Sequence, residues 1–134
     1  MRKAQATSHK SAYRKGTHHM TITFDEYQEA TMETAIYPEA GEGTELALAY
    51  VALGLAGEAG EVANKVKKII RDTGGNVTEE QAEVIKKEVG DVLWYAARLS
   101  DELDFALGSA AELNLNKLLL RKQYGTIVGD GDNR

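Results

Sequence analysis

The chain has 134 residues, of which 43% are hydrophobic, and these values are typical of one globular domain with a single core. Its formal net charge of -5 at pH 7 argues against a nucleic-acid polymer as partner, because such binding needs clustered Lys and Arg. The chain lacks cysteine and any uninterrupted apolar run of the roughly 18 residues that a membrane helix needs, so we expect a cytoplasmic protein without disulfides, thiolate sites or a membrane anchor.

The first part of the chain differs in composition from the rest. Residues 1–19 are polar and basic, show no apolar periodicity and contain all three histidines, whereas Met20 opens a segment that resembles a native start. We interpret residues 1–19 as a disordered leader or an extension added for expression. The alternative is a disordered native arm with an anionic partner. Residues 20–134 are then expected to form one domain.

Capping residues predict where the first two helices begin. A T-x-x-E capping box at Thr23 predicts a helix that starts at about Phe24 and ends before Pro38, the single proline. Thr44 is a good cap for a second, long helix, which we expect to run to about Asp72, before a pair of glycines.

Two further capping boxes predict the remaining helices. The box at Thr78 predicts a third helix that ends at about Leu107, and the box at Ser109 predicts a fourth that ends at about Tyr124. We find no strand-length alternating segment, so the predicted fold is an all-α, four-helix-bundle-like domain with antiparallel neighbours. Residues 125–134, which are rich in glycine and charge, are expected to form a mobile tail or one that orders on binding.

Two copies of a short acidic pattern lie in the second and third helices. Glu58 and Glu61 form one pair and Glu88 and Asp91 the other, and in each pair the carboxylates are three residues apart. At about 100° per residue, each pair lies on the same flank of an apolar stripe. If the stripes pack together, the four carboxylates face one another and repel, so a cation is expected between them.

The alternative is a solvated acidic helix face, which the repeated position beside the core stripe disfavours.

The type of ligand narrows the choice of metal. With no cysteine, and histidines only in the first 19 residues, a zinc site or a di-iron centre built from Glu-x-x-His pairs is disfavoured. Oxygen-only ligation points to Mg²⁺, with Mn²⁺ as a possible substitute. Because Mg²⁺ is typically shared with substrate phosphates, the cluster suggests chemistry on phosphates.

Other residues near the acidic flank have more than one interpretation. Lys65 is a candidate phosphate ligand, or alternatively an ion-pair partner of Glu61 one turn away. Three glycines inside the second helix indicate close approach of another group. We expect helix packing at Gly57 and Gly60, and space beside the acidic residues at Gly54.

The segments 57–61 and 88–95 carry the E-x-x-E and E-x-x-D motifs, and in these the sequence resembles the MazG-like, all-α nucleoside triphosphate pyrophosphohydrolases. The resemblance covers about Phe24 to Arg134, and the pattern Asn114-x-x-Lys117-x-x-x-Arg121 strengthens it.

The resemblance implies hydrolysis of a nucleoside triphosphate to the monophosphate and pyrophosphate, as nucleotide-pool housecleaning with Mg²⁺. Transferred to this chain, the metal ligands are Glu58, Glu61, Glu88 and Asp91. Glu61 would also act as a base or orient the attacking water.

For the nucleotide, the resemblance implies that Lys117 and Arg121 contact phosphates while Asn114 and Tyr95 line the pocket. Tyr95 also has an ordinary interpretation as a core tyrosine. The family implies a homodimer or homotetramer with sites completed by a neighbouring subunit. The rival hypothesis is a catalytically silent, metal-binding helical scaffold. The preferred base stays open, since sequence alone does not rank pocket candidates such as Gln28, Tyr37 and Trp94.

Overall fold

The computed structural model describes residues 21–128, which form four α-helices, a short 3₁₀ turn and no strand. This confirms the predicted all-α fold class. The predicted leader at residues 1–19 lies outside the described residues, and so do residues 129–134 of the predicted tail. The elements in order are α1 (Phe24–Thr31), the 3₁₀ turn (Met32–Thr34), α2 (Glu45–Thr73), α3 (Glu79–Glu102) and α4 (Leu107–Gln123).

The predicted caps of the first three helices are confirmed. The Thr23 hydroxyl oxygen accepts a hydrogen bond from the Glu26 backbone N–H at 3.2 Å, and the Glu26 carboxylate accepts one from the Thr23 N–H at 2.8 Å. Thr78 and Gln81 form the same reciprocal pair at the start of α3. At the start of α2, the Thr44 hydroxyl oxygen accepts a hydrogen bond from the Ala47 N–H, without a reciprocal capping box. These local bonds satisfy backbone donors that the helices leave unpaired.

The first helix ends before Pro38, as predicted, although α1 already stops at Thr31. The chain tightens there into the 3₁₀ turn, in which the Thr34 hydroxyl donates to the Thr31 carbonyl at 3.1 Å. The Thr34 hydroxyl oxygen also accepts a hydrogen bond from the indole N–H of Trp94 at 2.7 Å. This early end lets the chain turn and place Tyr37 in the core.

The predicted boundary between the third and fourth helices is wrong. The helix α3 ends at Glu102 and does not continue to Leu107, and α4 begins at Leu107, two residues before the expected cap at Ser109. The Ser109 hydroxyl instead donates to the Ala106 carbonyl at 2.7 Å. The free N–H of Leu107 donates to the side chain of Gln28 in α1 at 2.6 Å, so a residue distant in sequence supplies the cap.

The helices α2 and α3 form the principal packed pair, α1 packs against α3, and α4 contacts both α1 and α3. Gly74, in the left-handed conformation, ends α2 and begins the short connection to α3. The core lies near the start of α2 and consists of Tyr37, Ala47 and Val51, with Trp94 and Leu99 among the partly buried residues around it.

A buried polar network joins the loop before α2 to the end of α3. Arg98 is fully buried, and its Nε donates to the Tyr37 hydroxyl oxygen at 3.2 Å. The Tyr37 hydroxyl in turn donates to the carboxylate of Glu102. Gly41 and Gly43 donate their backbone N–H groups to the same carboxylate at 2.7 and 2.8 Å. The network therefore fixes the loop around Glu102.

These contacts favour the ionised form of Glu102. Burial opposes ionisation, but the hydrogen bonds from Tyr37, Gly41 and Gly43 outweigh it and lower the pKa of Glu102. A carboxylate with a lowered folded-state pKa stabilises the protein above its unfolded-state pKa. This contribution is lost as the pH falls through the folded-state pKa.

We predict that Glu102→Gln destabilises the protein at neutral pH, and that the difference from wild type narrows below about pH 4, where carboxylates become protonated. The measurement is urea unfolding of both proteins across this pH range. The control is Glu112→Gln, an exposed residue of α4, which should differ little from wild type at any pH. A pH-independent difference for Glu102→Gln would contradict the explanation.

Candidate functional site

The packing of α2 against α3 brings three of the four predicted carboxylates together. One carboxylate oxygen from each of Glu58, Glu88 and Asp91 lies within 4.8 Å of the others. Glu58 and Glu88 are half-buried, whereas Asp91 is exposed. We call these three residues the carboxylate cluster. Its oxygen donors come from two helices, so its geometry depends on how the helices pack.

The charges of the cluster affect one another and nearby tyrosines. Burial and the charges of Asp91, Glu88 and Glu61 raise the pKa of Glu58. Burial and the charge of Asp91 likewise raise the pKa of Tyr27. The cluster is thus a region of negative potential in which a cation would be stabilised.

The fourth predicted carboxylate lies apart from the cluster. Glu61 is exposed on α2 and is not among the three residues whose oxygens converge. Its charge still contributes to the raised pKa of Glu58, so it is electrostatically part of the site. Glu61 is therefore placed beside the cluster.

Lys65 bridges the two helices at the cluster. Its Nζ lies 3.1 Å from Oε1 of Glu88, so it pairs with α3 and does not make the intrahelical pair with Glu61 that we considered. The Lys65 side chain is 28% exposed and the Glu88 side chain 19% exposed. A half-buried pair of this kind is screened less by solvent than a surface ion pair.

A cavity of about 340 Å³ adjoins the cluster. Its lining consists of Thr34, Glu58, Asp91, Trp94 and Tyr95. The rings of Trp94 and Tyr95 meet edge to face with centroids 5.0 Å apart. The cavity thus joins carboxylates on one side to an aromatic wall on the other.

Comparison with known proteins identifies the family. A profile describing the MazG nucleotide pyrophosphohydrolase domain matches residues 47–126, which is more than half of the chain. The chain belongs to the MazG nucleotide pyrophosphohydrolase family. It is also 52% identical over 111 residues to the gene 37 protein of Mycobacterium phage L5, and the match covers 82% of this chain and 97% of the phage protein. No solved structure gave a significant match.

Tyr95 lies between the core and the cavity. It is partly buried against the core of this MazG domain, and it also lines the cavity beside the cluster. Of the pocket candidates that the sequence did not rank, Trp94 lines the cavity, whereas Tyr37 and Gln28 make the structural hydrogen bonds described above. Trp94 follows Asp91 by three residues in α3, a helical spacing that could have identified it. Thr34 also lines the cavity, but no spacing in the sequence indicated this.

The three predicted nucleotide contacts on α4 do not line this cavity. Asn114 is exposed, and Lys117 and Arg121 are half-buried on the same helix. Within the described part of one MazG chain, the structure therefore gathers the cluster, Lys65 and Tyr95, but does not place the α4 residues in the cavity wall.

Gly54 is required by the close approach of Tyr95. A Cβ atom at position 54 would lie 2.1 Å from Cε1 of the Tyr95 ring, which is far inside van der Waals contact. At Gly57 and Gly60, by contrast, an added Cβ would meet no atom of the described chain within 4 Å apart from the local helix itself. Helix packing within the described chain therefore does not explain those two glycines, and packing against another chain at this place stays a prediction.

We predict that Gly54→Ala displaces the Tyr95 ring and destabilises the domain by about 1–3 kcal/mol, as overpacked sites typically do. The matched control is Gly90→Ala in α3, where an added Cβ has open space and should stabilise the helix by up to about 1 kcal/mol. Urea unfolding gives the stabilities, and the fluorescence of Trp94, the single tryptophan, reports the disturbance. Equal effects of the two substitutions would contradict the role of Gly54.

Part of the α2 surface is apolar and has no partner within the described chain. We call it the α2 stripe, and all of its members are exposed: Leu46, Ala49, Leu53, Ala56, Gly57 and Gly60. By length and composition alone, α2 is the one helix of the described residues that could cross a membrane, which is weak evidence for a span. Since Ala47 and Val51 on another side of α2 are fully buried in the core, we interpret the stripe as a surface of a packed helix.

Proposed function

We propose that this MazG-family protein hydrolyses nucleoside or deoxynucleoside triphosphates with Mg²⁺ or Mn²⁺. Water attacks the α-phosphate, the bond between the α- and β-phosphates breaks, and the products are the nucleoside monophosphate and pyrophosphate. The proposed role is housecleaning of the cytoplasmic nucleotide pool. The observation that carries the proposal is the carboxylate cluster, formed by the paired acidic motifs of two packed helices in a chain of this family.

The donors of the cluster suit a hard divalent cation. All three are carboxylate oxygens, which Mg²⁺ and Mn²⁺ prefer, and burial together with repulsion from the neighbouring carboxylates raises the pKa of Glu58. Such an ion would lower the cost of bringing a polyphosphate to an acidic site and polarise the phosphoryl oxygens. We assign Glu58, Glu88 and Asp91 as ligands, with Glu61 as a fourth ligand from the edge of the site.

The surrounding residues would orient the nucleotide. Glu61, exposed beside the cluster, is proposed to accept the proton of the attacking water or to orient it. The ring of Tyr95 offers a flat surface for the nucleoside at the cavity wall. Lys65, Lys117 and Arg121 are proposed to bind the phosphates. Asn114 is proposed to contact the nucleotide.

We predict monophosphate and pyrophosphate as the products when the protein is incubated with a panel of canonical and modified (d)NTPs and Mg²⁺. Glu61→Gln should lower kcat by roughly 10²–10⁴-fold, as loss of a general base does, without equal loss of Mn²⁺ binding. The control is Glu79→Gln, an exposed residue in the first turn of α3, which should retain activity. If no nucleotide yields a monophosphate, the silent metal-binding scaffold becomes the better description.

We further propose a homodimer or homotetramer in which the α2 stripe contacts another copy of the chain. Leu53 is 74% exposed, and Gly57 and Gly60 beside it leave the helix backbone open to close approach. An exposed apolar face with small residues is typical of a helix-packing surface. Glu61 lies on the side of α2 between the stripe and Glu58, so a subunit docked there would border the cluster.

We predict that Leu53→Lys shifts the protein to a smaller oligomer, because it places a charge in the proposed interface. The chain should still fold, since Leu53 is exposed in the single subunit. Val77→Lys, in the connection between α2 and α3 and also exposed, is the control. Molar mass from light scattering coupled to size-exclusion chromatography distinguishes the cases. A monomeric wild type would refute the proposed interface.

A further inference from the structure

The cluster contains a cationic side chain of the protein itself. Lys65 reaches from α2 to within 3.1 Å of Glu88 on α3. Three other ion pairs of the described chain each lie within one helix, namely Arg71–Asp72, Lys86–Glu83 and Arg98–Asp101. The Lys65 pair differs from these three in that it joins two helices at the point where three carboxylates converge.

This contact would compete with a divalent cation bound by the cluster. The Nζ of Lys65 occupies a position beside Oε1 of Glu88, and Glu88 supplies one of the three converging oxygens. An ion held by all three carboxylates would neutralise the negative charge that attracts Lys65, and it would repel an ammonium group beside it. Lys65 and the ion therefore cannot both bind Glu88 as strongly as either would alone.

We propose that Lys65 is a built-in substitute for the metal. In the metal-free protein it offsets the repulsion of the cluster. When the ion binds, Lys65 releases Glu88 and becomes available to the phosphates of the substrate. This inference rests on the proposed function, and it adds that one side chain alternates between two anionic partners.

The structure offers Lys65 an alternative location. A second cavity, of about 270 Å³, lies farther along the groove between α2 and α3 and has Lys65 in its wall. The same wall contains Asp72, whose carboxylate pairs with Arg71, and Glu80. Lysine has a flexible four-carbon stem, so its ammonium group can leave Glu88 without a change in the backbone.

The exchange has two thermodynamic consequences. Removal of Lys65 should strengthen binding of a divalent ion, because the ion no longer displaces a competing charge. It should also leave the repulsion in the metal-free protein without its counter-charge, so the melting temperature of that form should fall. A lysine that merely helped to position Glu88 would have the opposite effect on metal binding, which would then weaken on its removal.

The experiment is titration of Mn²⁺ into the metal-free protein without nucleotide, by calorimetry and by electron paramagnetic resonance of the free ion. Lys65→Met should lower the Kd for Mn²⁺ by on the order of tenfold, as expected for removal of a nearby unit charge that solvent partly screens. It should also lower the melting temperature of the metal-free form. Lys65→Arg should keep the Kd close to that of wild type.

The matched control is Lys68→Met, which removes the same charge about one turn farther along α2 and should change the Kd by less than about twofold. Circular dichroism verifies that each variant folds, and Lys65→Gln provides a polar replacement if Lys65→Met does not. A Kd that rises in the Lys65 variants, or that changes as little as in Lys68→Met, would overturn the proposal.

The titration also separates this inference from the proposed function. Binding of Mn²⁺ that Asp91→Asn abolishes supports the metal site whatever happens at Lys65. In that case, an unchanged Kd in Lys65→Met refutes only the exchange. A wild-type protein that binds no Mn²⁺ refutes the metal site, and the exchange with it.

Discussion

The mutual repulsion of carboxylates across the α2–α3 packing is the constraint on which the site depends. Glu58 is two turns beyond Val51 in α2, and Val51 is fully buried in the core. Burial of apolar surface between the helices favours their association, whereas the cluster opposes it. Because both effects act along the same pair of helices, the core holds the carboxylates closer than they would lie by themselves.

A second constraint holds the aromatic side of the cavity. The buried network around Arg98 and Glu102 fixes the segment that carries Tyr37. Just before that segment, Thr34 accepts the hydrogen bond from Trp94, whose ring faces the cavity. Removing one partner of such a network leaves buried polar groups without hydrogen bonds, which is costly. The polar groups that anchor the loop therefore also maintain the shape of the cavity.

The features that sequence predicted well are those set by neighbouring residues. The caps at Thr23, Thr44 and Thr78 need partners only a few residues away, and all three formed. The acidic pairs followed from helical spacing, which is why three of the four carboxylates were found together. Local geometry was sufficient for both.

The features that the sequence did not predict depend on contacts between residues that are far apart in the chain. The cap of α4 comes from Gln28 in α1, and the Thr34–Trp94 bond accompanies the early end of α1. Among the helical glycines, only the position of Tyr95 distinguishes Gly54 from Gly57. The same holds for Lys65, whose spacing suggested Glu61 but whose partner is on the facing helix. Each case needs the three-dimensional arrangement of two helices.

The position of Glu61 connects the cluster to the proposed assembly. In the single chain this carboxylate is exposed, so water screens its interaction with Glu58. A second subunit on the α2 stripe would exclude part of that water, because Gly57 and Gly60 allow a close approach on the side next to Glu61. The repulsion between Glu61 and the cluster would then increase, and so would the affinity for a cation. Assembly and metal binding would thereby favour each other, because an ion bound at the site reduces the repulsion that assembly intensifies.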